Sequence, residues 1–293
     1  MTEEEPPYPS DSDDLRYVVS TADPREYWDN KAATFASGER ERRSGRFREL
    51  YEECCWRYIE PVLPRHKDGL ILEAGCGTGR WVFRLAPRGF RFVLADLSAE
   101  MIRYARERVE ERGIGEQVIA CHALDICDMQ TLSSESFDLV LALGVPLTLS
   151  NEPGRAVDEC FRVTKSGGHI VCDAANRYRT ALELARQNDV GQFAEVLATG
   201  HVKRQSGLAH YHFGPQELAS LFQAKGMKVL HLAAVCPFFE FPATEEHVRM
   251  LNDQESFKTV QDVFKRYAED PHVIALSSRL LIVAQKMASG ASK

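Results

Sequence analysis

The sequence has no long hydrophobic run. Its longest apolar stretch, residues 139–149, is interrupted by Gly144, Pro146 and Thr148, whereas a membrane helix needs about 18 or more consecutive apolar residues. The first residues are acidic and rich in proline, unlike a secretory signal with its basic start and apolar middle. We therefore expect a cytoplasmic protein that neither spans nor binds a membrane.

The cysteine spacings that are typical of metal sites are also absent from the sequence. The eight cysteines include no Cys-x-x-Cys pair, and several lie inside apolar runs, as Cys121 and Cys172 do. Buried free thiols of this kind are typical of proteins in a reducing compartment. We predict neither a disulfide framework nor a metal site.

Basic residues are missing from residues 1–14, which carry six acidic side chains. These account for most of the formal net charge of −7, so the rest of the chain is nearly neutral. We predict that residues 1–14 form a disordered tail. A neutral body argues against a large nucleic-acid footprint, although it allows a local basic patch.

Short apolar runs alternate with helical patterns between residues 69 and 174, which indicates βαβ units and a parallel sheet. We predict strands at 69–75, 91–96, 117–123, 137–144, 168–174, 227–235 and 278–286, and helices at 98–113, 153–168, 215–226 and about 253–269. Residues 15–286 are expected to form one domain, with a helical cap at 15–64, a lid insertion at 175–213 and a further insertion at 237–272. Residues 287–293 are expected to be a flexible tail.

A glycine-rich turn follows the first predicted strand, in the sequence Glu73-Ala74-Gly75-Cys76-Gly77-Thr78-Gly79. Glycines there allow close approach of the backbone to a ligand, and the next helix offers free N–H groups. A dinucleotide fingerprint would need Gly or Ala where Arg80 stands. The carboxylate of Glu73 would repel a pyrophosphate but attract the ammonium and sulfonium groups of S-adenosylmethionine.

Residues 71–79, ILEAGCGTG, resemble motif I of the class I S-adenosylmethionine-dependent methyltransferases. Other motifs of that family follow in order: Asp96 after the second strand, LSAEMI at 97–102, Asp125 after the third strand, FDLVLALG at 137–144 and KSGG at 165–168. The resemblance implies a Rossmann-like α/β fold. Its seven-stranded, mostly parallel sheet would carry helices on both faces and a helical lid.

The resemblance also implies roles for particular residues. Asp96 would bind the ribose hydroxyls, Leu97 and Met101 would flank the adenine, and Asp125 with the backbone of Ile126 would bind its amino group. The cofactor-binding residues predicted in all are Arg48, Glu73, Gly75, Cys76, Gly77, Gly79, Asp96, Leu97, Met101, Asp125, Ile126 and Leu143. Cys76 is interpreted as a small filler residue and not as a nucleophile.

Substrate contacts are sought on the elements expected to cover the sheet's carboxyl edge. The candidates are Tyr27, Trp28, Asn176, Tyr178, His201 and His210. Each could equally be a structural or surface residue. The stretch ERERRSGRFR at 39–48 is open to three interpretations: a solvated helix face, a source of Arg46 or Arg48 for the cofactor carboxylate, or a phosphate-contacting patch.

The sequence favours methyl transfer from S-adenosylmethionine to an O, N or S nucleophile of a small molecule. A second possibility is a tRNA-modifying enzyme, because GRFRE at 45–49 and the ending at 265–286 are similar to bacterial enzymes that methylate the carboxyl of carboxymethoxyuridine in tRNA. A third is a non-catalytic protein that binds the cofactor as a partner subunit. The acceptor, the catalytic base and the oligomeric state are not predicted.

Overall fold

The computed structural model describes residues 23–38, 45–203, 207–239 and 244–288. Within them, seven strands form one sheet and two short strands form another. The strands are β1 Leu70–Ala74, β2 Arg91–Asp96, β3 Val118–Ala123, β4 Phe137–Ala142, β5 Thr164–Ala175, β6 His201–Lys203, β7 Ala209–Tyr211, β8 Met227–Val235 and β9 Arg279–Lys286. All seven predicted strands are confirmed. The predicted acidic tail at 1–14 lies outside the described residues, as does most of the tail at 287–293.

The large sheet has the order β3-β2-β1-β4-β5-β9-β8. Its first five strands are parallel, and β9 runs antiparallel to both β5 and β8. The strand order reverses between β1 and β4, and in open α/β sheets the crevice at the carboxyl ends of such strands binds ligands. The predicted fold class is therefore confirmed, and its topology places a site at this edge.

Helices cover both faces of the sheet. They are α1 Pro24–Ala36, α2 Arg46–Ile59, α3 Trp81–Leu85, α4 Ala99–Glu111, α5 Pro146–Leu149, α6 Pro153–Val163, α7 Arg177–Arg186, α8 Val190–Thr199, α9 Pro215–Gln223, α10 Glu245–Asn252, α11 Gln254–Tyr267 and α12 Pro271–Leu276. None of them combines the length and the apolar character needed to cross a bilayer, as far as the described residues go.

The strands are continuous apolar runs because side chains are buried on both sides of the sheet. In β4, Leu139 and Leu141 belong to one buried cluster, while Val140 and Ala142 belong to the other. Helices α2, α3, α4 and α11 complete the first cluster, and α6, α9 and α12 complete the second.

The helix predicted at 153–168 ends earlier, at Val163. The hydroxyl of Thr164 donates to the carbonyl of Cys160 at 2.6 Å, and Thr164 already pairs with Phe137 of β4. The segment KSGG, expected as a turn before the fifth strand, is therefore part of β5, with Gly167 at φ +80° and a register irregularity against β4.

The insertion after β5 has its own small core. Helices α7 and α8 pack around Ala181, Leu184, Val196 and Val202, and β6 pairs with β7 beside them. The α8 helix and the β6–β7 pair were not predicted. The insertion between β8 and β9 packs on α2, where the ring of Phe239 stacks on that of Phe47 at 6.3 Å.

Candidate active site

The glycine-rich loop joins β1 to α3. Gly75, Gly77 and Gly79 have φ values of +74°, +55° and +77°, a region that other residues avoid. The N–H groups of Gly75 and Cys76 both donate to the carbonyl of Ala95, at 2.8 and 3.0 Å. A side chain at Gly75 would approach Pro146 to 2.9 Å, whereas one at Gly77 would extend into open space. The loop is thus fixed to β2 with the backbone of Gly77 open toward the cavity described below.

Glu73, at the end of β1, is buried and holds the start of α3. Its Oε1 accepts from the N–H groups of Arg80 and Trp81 at 3.2 and 3.1 Å, and its Oε2 from Val82 at 3.0 Å. Burial raises the pKa of Glu73, and these backbone hydrogen bonds oppose the rise. The role expected for this carboxylate was only electrostatic attraction of a ligand. Its structural role is to fasten the glycine loop to the helix.

Asp96 ends β2 beside this loop. Its Oδ2 accepts from the N–H of Gly77 at 2.7 Å, and its Oδ1 from the N–H of Ser98 at 3.0 Å. Burial raises the pKa of Asp96 above its ordinary value. An ionised carboxylate can accept about four hydrogen bonds, so this fixed group retains the capacity to accept from ligand hydroxyls.

Helix α1 is attached to the same corner by Asp29, which the sequence argument missed. One oxygen of Asp29 accepts from the Ser98 hydroxyl at 2.5 Å and from the N–H of Glu100 at 3.1 Å. Ser98 in turn caps α4 by accepting from the N–H of Met101 at 3.0 Å. The cap of residues 15–64 therefore touches the first turn of α4 directly after Asp96. A single Asp within a predicted helix carries no sequence signal for such a contact.

Asp125 lies after β3, within a tight turn. Its Oδ1 accepts from the N–H of Cys127 at 2.8 Å, and it forms a bridge pair with Asp128.

Burial raises the pKa of the Cys76 thiol well above its ordinary value. This agrees with the interpretation of Cys76 as a filler, because a reactive thiol requires a low pKa.

A buried carboxylate, Asp173, organises the other end of the site. It lies in β5 with no exposed surface, and its Oδ1 accepts from the N–H groups of Gly144 and Val145, both at 2.7 Å. Its Oδ2 accepts from the hydroxyl of Tyr51 at 2.9 Å and from Arg279 at 3.1 Å. Sequence reasoning missed this centre, although an acid inside the apolar run HIVCDA was an available signal.

The loop after β4 depends on that carboxylate. Gly144 has φ +103° and Val145 has φ +63°, which is unusual for a β-branched residue. Asp173 accepts from both of their N–H groups, so it fixes a strained backbone. Burial, and then the charge of Asp173, raise the pKa of Tyr51 well above its ordinary value, so Tyr51 is a protonated donor.

A cavity of about 490 Å³ lies among these elements, within the range of roughly 300–1,000 Å³ that is usual for small-molecule sites. All twelve residues predicted to bind the cofactor line it: Arg48, Glu73, Gly75, Cys76, Gly77, Gly79, Asp96, Leu97, Met101, Asp125, Ile126 and Leu143. The cap contributes aromatic walls through Trp28, Phe35, Phe47 and Tyr51.

The predicted substrate residues are mostly elsewhere. Trp28 lines the cavity. The ring of Tyr27 packs edge-on against the ring of Trp28, with their centroids 5.1 Å apart. Asn176 is buried, and its amide nitrogen donates to the carbonyls of Ile274, Ala275 and Ser277. The remaining three do not line this cavity: Tyr178 is 47% exposed, His201 packs on Tyr211, and His210 stacks near His212.

Among the described residues 175–213, none lines the cavity. Their predicted role as a lid stays a prediction.

The basic stretch at 39–48 is described only from residue 45 onward. There, Arg46 points away from the cavity, since its guanidinium lies 3.5 Å from the centroid of the Phe257 ring and donates to Gln254. Arg48 lines the cavity and donates to Glu52 at 2.9 Å. Of the two arginines considered for the cofactor carboxylate, the structure favours Arg48.

Comparison with known proteins agrees with this geometry. Residues 72–172 match the family model of a methyltransferase domain. The tRNA 5-carboxymethoxyuridine methyltransferase of Escherichia coli (strain K12) is 25% identical over 245 residues, covering 81% of this chain and 88% of that protein. The malonyl-[acyl-carrier protein] O-methyltransferase of Pectobacterium atrosepticum is 33% identical over 130 residues, covering 43% and 46%.

Among solved structures, a SAM-dependent methyltransferase from Methanosarcina mazei superimposes with a TM-score of 0.57 at 18% identity, over 79% of this chain and 98% of that one. This likeness shows the fold. Residues 72–172 thus match a methyltransferase domain, and the fold around them is the one seen in S-adenosylmethionine-dependent methyltransferases.

The residues present fit S-adenosylmethionine. The backbone of Gly77 is open where a side chain would enter the cavity, and Asp96 keeps acceptor capacity at the end of β2. Leu97, Met101 and Ile126 supply apolar wall nearby. Arg48 offers a cation at the part of the cavity formed by the cap.

Proposed function

We propose that the chain methylates an O, N or S nucleophile of a small molecule. The observation that carries this proposal is the shape and composition of the cavity. Besides the glycine loop, its lining includes aromatic side chains of the cap and residues of the segment after β4, and Trp28, Phe47 and Leu149 contribute apolar walls. Walls of this kind suit a compact ligand, because they exclude water and fix orientation.

The residues of the chain have distinct roles in the proposed reaction. S-adenosylmethionine supplies an electrophilic methyl group, so the protein must mainly align the acceptor and keep water away. Asp96, Asp125 and Ile126 hold the adenosine part, and Arg48 holds the carboxylate. The loop at Gly144–Val145, fixed by Asp173, forms the wall toward the acceptor. No residue is assigned as a base, since a nucleophile that is already ionised needs none.

Calorimetry with S-adenosylmethionine and S-adenosylhomocysteine tests the cofactor half of the proposal. Both ligands should bind with one-to-one stoichiometry. Well-folded protein that binds neither would refute it. The acceptor half is tested by tritium transfer from labelled S-adenosylmethionine to a metabolite extract filtered below about 1 kDa, with bulk tRNA as the parallel substrate.

A tRNA substrate is the second candidate, favoured by the long match to the Escherichia coli tRNA enzyme. The two candidates differ in their dependence on salt. Phosphate contacts release counterions, so tRNA binding should weaken steeply as salt rises, whereas a small acceptor should respond far less. Gel shifts of bulk tRNA at 50 and 200 mM salt separate them. Labelling of tRNA alone would overturn the small-molecule proposal.

A further inference from the structure

Several arginines line the cavity, and one of them, Arg25, donates to the carbonyl of Leu97 directly after Asp96. Arg48 from α2, Arg80 from the start of α3 and Arg279 from the start of β9 also line the cavity. The guanidinium carbons of Arg80 and Arg279 each lie 5.4 Å from the centroid of the Tyr51 ring. Two cationic groups therefore share one aromatic neighbour, within a partly buried wall where charges interact more strongly than in water.

The three arginines differ in their partners. Arg48 is paired with Glu52 at 2.9 Å, and Arg279 with Asp173 at 3.1 Å. Arg80 makes no ion pair with any carboxylate in the part of the chain that the structure describes. The carboxylate of Glu73 is close by, but it already accepts from three backbone N–H groups. Arg80 thus lines the cavity with a charge that no carboxylate of the described residues pairs.

The sheet order separates the two kinds of charge. Asp96 on β2 and Asp125 after β3 lie on one side of β1, whereas Arg279 on β9 lies on the other side, beyond β4 and β5. The acidic end is the one assigned to the adenosine. One methionine carboxylate needs one cation, and Arg48 is assigned to it. Arg80, which has no ion pair among the described residues, and Arg279, which pairs with Asp173, are the other two arginines on this side of the cavity.

We propose that Arg80 and Arg279, beside Tyr51, form a subsite that binds a carboxylate or phosphate group of the methyl acceptor. This inference rests on the proposed function, because it assigns the acceptor end of the same cavity. Planar guanidinium groups match the geometry of both anions. The hydroxyl of Tyr51 is committed to Asp173, so Tyr51 contributes its ring and not a hydrogen bond. The subsite selects acidic acceptors and disfavours amines through like-charge repulsion.

The test uses the full chain saturated with S-adenosylhomocysteine, titrated with benzoate, inorganic phosphate and benzamide in calorimetry or ligand-observed NMR. At least one anion should bind, and benzamide, which has the same ring without the charge, should not. Binding of benzoate would identify a carboxylate subsite, and binding of inorganic phosphate would identify a phosphate subsite. In Arg80→Gln the affinity for that anion should fall about tenfold or more, since charge-assisted hydrogen bonds are lost.

Arg84→Gln is the matched control, because Arg84 lies one turn further along α3 and pairs with Glu53 at 2.6 Å outside the cavity. The Arg84→Gln variant should bind the anion and S-adenosylhomocysteine with the same affinities as the wild-type protein. Three results would overturn the subsite: neither anion binds, the two variants respond alike, or Arg80→Gln weakens S-adenosylhomocysteine itself. Failure of the wild-type protein to bind S-adenosylhomocysteine would instead refute the proposed function, and this inference with it.

Discussion

Replacing Asp173 by alanine should destabilise the protein more than any surface change. The carboxylate has no exposed surface and accepts from four donors: two backbone N–H groups at 2.7 Å, Tyr51 at 2.9 Å and Arg279 at 3.1 Å. Removing it takes away the ion-pair partner at 3.1 Å from the guanidinium of Arg279, which is only 13% exposed. Breaking a buried ion pair from one side costs about 3–5 kcal/mol.

The expected value lies toward the lower part of that range. Arg279 and the loop at Gly144–Val145 line the cavity, so water can replace some of the lost hydrogen bonds. For a chain of this size, a loss of about 3 kcal/mol should lower the melting temperature by roughly 6–12 °C. Asp173→Asn keeps the volume and two acceptor lone pairs, so its loss should be intermediate.

Urea denaturation followed by circular dichroism measures the change, with Asp158→Ala as control. Asp158 pairs with Lys225 at the surface, with side chains 49% and 34% exposed, and such a pair is worth about 0–1 kcal/mol. The variant at Asp173 should also bind S-adenosylhomocysteine more weakly, because Val145 loses the group that fixes its positive φ. If both alanine variants unfold at the same urea concentration, Asp173 does not organise this end of the site.

Three further predictions concern other carboxylates. Asp96→Ala should weaken S-adenosylhomocysteine binding about tenfold or more in calorimetry, because the acceptor proposed for the ribose hydroxyls would be lost. Asp29→Ala should speed dissociation of the same ligand in stopped-flow measurements, because α1 loses its bonds to Ser98 and to the start of α4. Hydrogen bonding to Arg162 lowers the pKa of Glu159 below its ordinary 4.5. Glu159→Gln should therefore reduce the free energy of unfolding at neutral pH. The difference between the variant and the wild-type protein should disappear as the pH falls below 4.5.

Each of these has a result that contradicts it. For Asp96, the control is Asp128→Ala, which removes an exposed acid that does not line the cavity; equal affinities in the two variants would remove the role of Asp96. For Asp29, an unchanged dissociation rate would mean that α1 does not restrict the exit of the ligand. For Glu159, a difference in unfolding free energy that is the same at pH 3 and pH 7 would exclude the ion pair as its source.

The cofactor half of the site could be predicted because its residues follow one another along the chain. Glu73, the glycine loop and Asp96 lie within two strand–loop–helix units, and each apolar strand is visible as a run buried on both faces. Local order along the sequence therefore translates directly into spatial order. The end of α6 was less visible, since the apolar pattern continues across Val163 while the chain changes from helix to strand. The three-residue strands β6 and β7 are too short to show any period.

The acceptor half could not be predicted in this way, because Tyr51, Asp173 and Arg279 come from three distant parts of the chain. Their arrangement has a consequence for how specificity can change. Arg279 cannot be replaced alone, since Asp173 would remain buried after losing the cation that it pairs with. Asp173 cannot be replaced alone either, since it also fixes Val145. Arg80 has no such partner among the described residues, so a change of acceptor charge through Arg80 leaves the buried pair intact.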